Sequence, residues 1–345
     1  MELLILATEK FAPTYNSKLL NQVEYIRKFS NIKVNILIDA SLYEIEKILS
    51  NSEYDLIYPT TVFNYSTDGE NIVSFNSYLY KLFDYYKQAY IGSPLFTHLL
   101  LNDKALTNYR SEMGLPNQVI TRDAWNCAKD VVLTRVSTME LPVIIKPNTL
   151  AASLGITEKS IAWKKENFES IISSLFQEFP NLSEVLAEKY LENSVEYTVS
   201  VTGNNGHFLV NVSKLKAKTA IHPLHSNISK NTIPEKRMFE YDNENDRLLL
   251  YTLQSVSERL FTGFGLRDLG RFDFLCSDEG NLYLIDANTL PSLSNNYLFE
   301  FIQNQTLQLE QLLGLIVLVA CKRIGFELDR LLLDTYPLTV TRLLF

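Results

Sequence analysis

The chain has 345 residues, 46% of them apolar and 21% charged, a balance that fits a folded protein and excludes an extended disordered one. That length leaves room for two or three domains with a sizeable core. A net charge of −8 with no basic run argues against nucleic acid as a partner, because a polyphosphate backbone calls for a cationic face.

In chain order, Met1–Ala7 is a short apolar run with an acidic second residue and no cationic flank, so it reads as a first strand and not as a signal peptide. Strand-like and helix-like segments then alternate: Leu3–Ala7, a helix over Ser17–Phe29, Val34–Ile38, Leu42–Leu49 and Asp55–Tyr58. That alternation predicts a parallel α/β unit, with a break near Ile91–Pro94. Neither GxGxxG nor GxxxxGK[ST] occurs, so no dinucleotide or P-loop site is expected. Asn102 is placed to cap a helix over Asp103–Met113 that Gly114-Leu-Pro116 stops. Leu141–Pro147 reads as a buried strand, Asn148–Gly155 as a small-residue loop, and Phe168–Phe179 as an amphipathic helix closed by Pro180. Val185–Ala187 and Tyr197–Val201 are strand-like, Lys214–Asp242 looks irregular, and Leu248–Leu260 is helical. A packing helix follows over Glu310–Arg323, and the alternation in 331–345 suggests a terminal strand. The second half lacks a regular βαβ rhythm, so α+β fits it.

Cys127, Cys276 and Cys321 are odd in number, far apart and outside any CxxC, which points to a reducing compartment and away from a disulfide framework or cysteine zinc site. The apolar stretch Leu312–Cys321 is about half what a membrane-spanning helix needs. A cytoplasmic location without a membrane partner is therefore expected.

Between helix and tail lie two strands that carry the chemistry. Arg271-Phe-Asp-Phe-Leu and Leu282-Tyr-Leu-Ile-Asp-Ala-Asn288 flank the turn signal Ser277–Asn281. With Glu279 and Gly280 as a two-residue loop, Asp273 falls opposite Asp286, and Arg271 opposite Asn288. Strand alternation then puts all four on one face, with Phe272, Phe274, Cys276, Tyr283, Ile285 and Ala287 on the other. Two carboxylates opposed across a ladder repel. An oxygen-seeking divalent cation between them turns that cost into a binding site, with Asn288 adding a neutral oxygen and Arg271 gripping an anion nearby. The competing reading is an ordinary surface hairpin whose apolar face is core.

Other signals are weaker. Lys146 ends an apolar strand, where a lysine either snorkels to solvent or meets an anion. The 148–155 loop has backbone N–H groups able to wrap a phosphate, as many surface loops do. Glu188 and Glu196 flank a strand pair and either accept hydrogen bonds from a ligand or are simply exposed. His222 and His225 flank Pro223 without the spacing of zinc ligands, and no GxSxG marks a nucleophile.

Taken in order, Gly92-Ser-Pro through Asn102-Asp-Lys104-Ala-Leu-Thr, Leu141-Pro-Val-Ile-Ile-Lys146-Pro147, Ala152-Ser153-Leu-Gly155-Ile, Glu188-Lys-Tyr-Leu191, Glu196-Tyr-Thr-Val, Gly270-Arg271-Phe-Asp273-Phe and Asp286-Ala-Asn288-Thr-Leu-Pro291 resemble the ATP-grasp superfamily, and within it the D-alanine–D-alanine ligases. The likeness covers residues 90–325. It implies an ATP-grasp fold, α/β and α+β, behind an N-terminal Rossmann-like parallel-sheet domain. The implied divisions are 1–94 (substrate side), 95–187 and 188–330 (the two ATP-grasp halves) and 331–345 (an extension without a role).

The resemblance also implies roles. Lys104 and Lys146 contact ATP, the loop of Ser153 and Gly155 covers its phosphates, and Glu188, Lys189, Tyr190 and Leu191 form the adenine hinge. Glu196 is the ribose acid, one residue farther on than in the commonest spacing. Arg271 steadies the reacting phosphoryl group, with Ser153 as a second catalytic residue. Asp273, Asp286 and Asn288 hold Mg²⁺, as two ions, with Asp286 where the family usually has Glu. Asn288, Ser292, Tyr297 and Leu298 face the substrate. The implied activity is a carboxylate–amine ligase working through an acyl phosphate, with ADP and phosphate as products, on a small-molecule amino acid substrate and an amine acceptor, in a homodimer.

Departures gather where the substrate sits. The family's HGxxGEDG is Phe63–Glu70 here, the early ammonium-binding acid has only Glu9 as a loose counterpart, EGSS becomes Leu150-Ala-Ala-Ser153, Tyr297 replaces a serine and Ser292 a glycine. These changes argue for an acceptor other than D-alanine. Aminoacyl transfer to a carrier-protein thiol or a hydroxyl, and a catalytically inactive nucleotide-binding protein, stand as alternatives.

Overall fold

The computed structural model describes residues 1–7, 13–60, 63–65, 72–75, 77–150, 154–214, 244–293 and 307–344. The first part opens with β1 (Glu2–Ala7), α1 (Pro13–Phe29), β2 (Lys33–Ile38), α2 (Leu42–Asn51), β3 (Leu56–Pro59), the short pair β4 (Phe63–Tyr65) and β5 (Ile72–Phe75), and α3 (Ser77–Tyr85). Strands β2-β1-β3 run parallel, as the alternation predicts. Central β1 is buried from Leu3 to Ala7, the near-continuous apolar run of a strand covered on both faces. Helix α1 turns Leu19, Val23 and Ile26 onto it at helical spacing. Ser41 and Glu44 cap α2 reciprocally, each side chain accepting the other's backbone N–H.

The central part follows with α4 (Leu95–Asn102), α5 (Lys104–Ser111), β6 (Asn117–Thr121), α6 (Arg122–Cys127), α7 (Lys129–Val136), β7 (Val143–Pro147), β8 (Ile161–Ala162), α8 (Asn167–Glu178) and β9 (Glu184–Lys189). Asp103, not Asn102, caps α5: its carboxylate accepts the Leu106 N–H at 2.9 Å. The single helix expected here therefore begins one residue later and has its own neighbour before it. The antiparallel sheet β6-β9-β7-β8 buries Val143, Ile145, Val185 and Ala187 against α8 through Phe168, Ile172 and Phe176.

The last part holds β10 (Val195–Asn204), β11 (His207–Lys214), α9 (Glu244–Gly263), β12 (Asp268–Cys276), β13 (Leu282–Asn288), α10 (Leu312–Ile324), α11 (Arg330–Leu333) and α12 (Leu338–Leu344). Its antiparallel sheet runs β11-β10-β12-β13, and one face packs on α9 through Val199, Val201, Phe272, Phe274 and Leu253. Strand β11 was not anticipated, and 215–242 of the irregular stretch lie outside the described residues. The tail is helical where a strand was expected. Leu332 of α11, Tyr336 in the bend before Pro337 and Val340 of α12 are buried in the same cluster as β1 and α10, so tertiary packing overrides a local alternation.

Helix α10 is buried from Leu312 to Cys321 and packs both on α1 and on β10 and β12, the central strands of the last sheet. No helix among the described residues is long and apolar enough to cross a membrane. Cys127, Cys276 and Cys321 are all free thiols.

Candidate active site

Alternation along β7 and β9 splits their residues between two buried faces. Val143, Ile145, Val185 and Ala187 face the core, which leaves Ile144, Lys146, Leu186 and Glu188 on the other side. Lys146 thus does not snorkel outward. It is 6% exposed, and its ammonium meets Glu188 at 2.6 Å. Asn108 of α5 donates to the other Glu188 oxygen at 2.7 Å, so both carboxylate oxygens are satisfied away from water. Removing one partner from such a buried pair costs about 3–5 kcal/mol. Asn108 escaped the sequence reading, although it lies one helical turn beyond Lys104, on the same face.

Asn148, fully buried, fastens α5 to the end of β7. Its Oδ1 accepts from Ala105 N at 3.0 Å, and its Nδ2 donates to Asp103 at 3.0 Å and to Glu184 at 2.9 Å. That bolt places Lys104, whose ammonium donates to the Leu150 carbonyl at 2.6 Å. Desolvation lowers the Lys104 pKa, and the Asp286 carboxylate is the strongest charge opposing that shift, followed by Lys146 acting with it. Lys104 therefore sits electrostatically between the Lys146–Glu188 pair of the central sheet and the hairpin of the last one.

Beyond Glu188, Lys189 turns outward to pair with exposed Glu140 at 2.6 Å, and that ammonium holds the Glu140 carboxyl below its usual range. Tyr190 packs with Ile144 and Ile161 in a small apolar cluster of its own, edge-on to Trp163. Burial raises its phenol pKa. Leu191 leads into the turn to β10, where Ser194 donates to its carbonyl at 3.1 Å. Glu196 is buried on β10, opposite Leu275.

Gly155 has φ +72°, and a Cβ there would lie 2.8 Å from Pro147 Cγ and 3.0 Å from both Leu175 and Phe179. Close packing beneath the loop therefore gives a reason for glycine independent of any phosphate. Ser153, Tyr297, Leu298 and Glu9 lie outside the described residues, while Ser292 is half-buried just past β13.

In the hairpin, Arg271 pairs with Asn288 and Asp273 with Asp286, as the sequence predicts. The route differs. The turn is a three-residue loop, 278–280, closed by Ser277 N to Asn281 O at 2.9 Å, with Gly280 at φ +83°. This shifts the first pairs by one, giving Phe274 opposite Leu284, and a bulge between Asp273 and Phe274 shifts them back. The expected core face is corrected accordingly. Leu284 is fully buried beside Phe274, whereas Tyr283 and Ile285 are only partly covered, because one extra residue reverses which side chains face inward.

The Arg271 guanidinium stands between the two acids, 2.8 Å from Asp273 Oδ2 and 3.8 Å from Asp286 Oδ2. Thr198 donates to Asp273 Oδ1 at 2.8 Å, and Asn288 Oδ1 accepts the Leu290 N–H at 2.9 Å. The guanidinium offsets the repulsion between the opposed carboxylates. Two carboxylates and an amide oxygen are hard donors that fit Mg²⁺. No cluster of three or more His, Cys, Asp or Glu able to hold a metal occurs among the described residues.

Residues 111–318 match the family model for the D-Ala-D-Ala ligase C-terminus. The chain belongs to this family. Among curated D-Ala-D-Ala ligases, that of Lactiplantibacillus plantarum is 27% identical over 273 residues, 75% of this chain and 66% of that protein. The vancomycin C-type resistance protein VanC2 of Enterococcus casseliflavus is 23% identical over 70% of this chain and 64% of its own. The matched stretch thus spans just under two thirds of these relatives. The VanG D-Ala:D-Ser ligase of Enterococcus faecalis superposes with a TM-score of 0.67 at 14% identity, covering 93% of this chain and 99% of that one. The ATP-complexed D-alanine–D-alanine ligase of Bacillus anthracis superposes at 0.63 and 15% identity, covering 94% and 98%. The fold is that of the D-Ala-D-Ala ligases: ATP-grasp, with a parallel three-strand sheet in front.

Proposed function

We propose that this D-Ala-D-Ala ligase family member is an ATP- and Mg²⁺-dependent carboxylate–amine ligase that joins an amino acid to an amine acceptor other than D-alanine. The observation that carries this reading is the Arg271 guanidinium held between Asp273 and Asp286, with the Lys104 ammonium within electrostatic reach of Asp286. Phosphoryl transfer is catalysed mostly by positioning and by fixed positive charge, and those groups supply both.

In this reading Ile144, Ile161 and Tyr190 receive the adenine, Glu196 the ribose, and Lys104 and Lys146 the phosphates. Asp273, Asp286 and Asn288 hold Mg²⁺, which when bound neutralises phosphate oxygens and polarises the transferring group. The donor carboxylate attacks the γ-phosphorus and ADP leaves. The acceptor amine then attacks the acyl carbon, losing a proton as phosphate departs. Arg271 faces the phosphoryl oxygens through both steps. Support for an acceptor other than D-alanine comes from Leu150, which stands at the family's acidic position and packs against the central core with its carbonyl engaged by Lys104. The domain limits proposed are 1–94, 95–187 and 188–330.

Incubation with ATP, Mg²⁺, an amino-acid panel and hydroxylamine should release phosphate and yield a hydroxamate. Arg271→Ala and Asp286→Ala should lower both by about a hundredfold or more, the scale seen when a preorganised charge is removed. Either variant retaining full turnover, with its fold intact by circular dichroism, would overturn these roles.

A further inference from the structure

Strand β10 alternates strictly. Tyr197, Val199 and Val201 face the α9 core, while Glu196, Thr198, Ser200 and Thr202 line the opposite face. Thr198 lies directly across the ladder from Asp273, is 3% exposed, and its hydroxyl donates to Oδ1 at 2.8 Å. The other oxygen, Oδ2, is the one that meets Arg271. An aspartate carboxylate turns broadly about its last torsion. One buried donor on Oδ1 and one cation on Oδ2 leave it a single orientation, with Oδ2 on the side shared with Asp286. Valine has the same shape and suits a strand equally well, so packing alone gives no reason for the hydroxyl.

We propose that Thr198 is a positioning residue for the divalent cation, acting through Asp273 without touching the ion. This rests on the proposed metal reading of the hairpin. Outer partners that orient a ligating carboxylate are worth roughly 10–100-fold in metal affinity.

The test is Mn²⁺ titration followed by the electron paramagnetic resonance signal of free Mn²⁺, with a non-hydrolysable ATP analogue present. Nucleotide binding is measured separately in EDTA. Thr198→Val should weaken Mn²⁺ uptake at least about tenfold, Thr198→Ser should restore it to within a few-fold, and nucleotide binding in EDTA should match across all three. Thr198→Ala, run beside them, is judged by the same criterion as Thr198→Val, so a misfolded valine variant leaves the proposal exposed. Unchanged Mn²⁺ affinity in Thr198→Val overturns the proposal and leaves the metal reading standing, as does a serine variant as weak as the valine one. No Mn²⁺ uptake by the unsubstituted chain overturns both.

Discussion

His98 is nearly fully buried on α4, packed at a tilt against Tyr80 with ring centroids 4.4 Å apart, and its Nδ1 shares a 2.6 Å hydrogen bond with Thr289, the residue after Asn288. Burial lowers its pKa to about 3, so the ring stays neutral in the folded chain. In the unfolded chain it takes up a proton below about pH 6.5. The folded state then binds fewer protons, so stability falls by about 1.4 kcal/mol per pH unit from 6.5 down to the folded pKa and levels off beneath it. Replacing His98 with Phe should flatten that limb in urea unfolding between pH 6 and pH 4. An unchanged slope would assign the acid loss elsewhere. Nothing in the sequence marked this histidine, because its partner lies 191 residues away. Equally hidden are the partner of Glu188, Asn108, 80 residues away, and that of Asp273, Thr198, 75 away. Lys146, Asp273 and Asp286 were legible because each breaks a local apolar pattern.

At the scale of elements, a charged residue in a strand was easier to find than the geometry that aims it. The opposition of Asp273 and Asp286 was inferred from a two-residue turn, and the structure reaches it with a three-residue loop and a compensating bulge. Sequence gives strand parity well but not where a ladder slips, since bulges answer to twist and packing. The parallel front sheet was readable from βαβ rhythm, whereas β11 and the helical tail were not, because both depend on partners distant in sequence. Gly155 shows a loop constrained from below. Alanine there would meet left-handed backbone strain and crowd Pro147, Leu175 and Phe179. The expected cost is about 2–4 kcal/mol. Denaturant unfolding of Gly155→Ala measures it, and a loss under half a kilocalorie would mean that α8 simply shifts aside.

Across the whole molecule, one buried ion pair ties the first domain to the last sheet. Asp268, fully buried at φ +65°, takes two bonds of 2.8 Å from Arg323 of α10, one from Gly92 N at 2.9 Å and one from Asn204 at 3.0 Å. Arg323 also donates to the Tyr90 carbonyl at 2.8 Å. Burial alone would lower the Arg323 pKa, yet the Asp268 carboxylate outweighs it and the net shift is upward. Asp268→Asn should cost about 3–5 kcal/mol and bring out a separate calorimetric transition for the first domain. One transition at an unchanged midpoint would show that α10 packing couples the parts unaided.

Asp268 stands three residues before Arg271 on the same strand, a backbone span of about 10 Å. The front sheet is thereby set at a fixed reach from the guanidinium, as a workpiece is held by the jaw of a vice. Under the proposed ligase reading, an acceptor resting on that sheet is gauged by a ruler of main chain, and changing its size calls for remaking the jaw, not the tool.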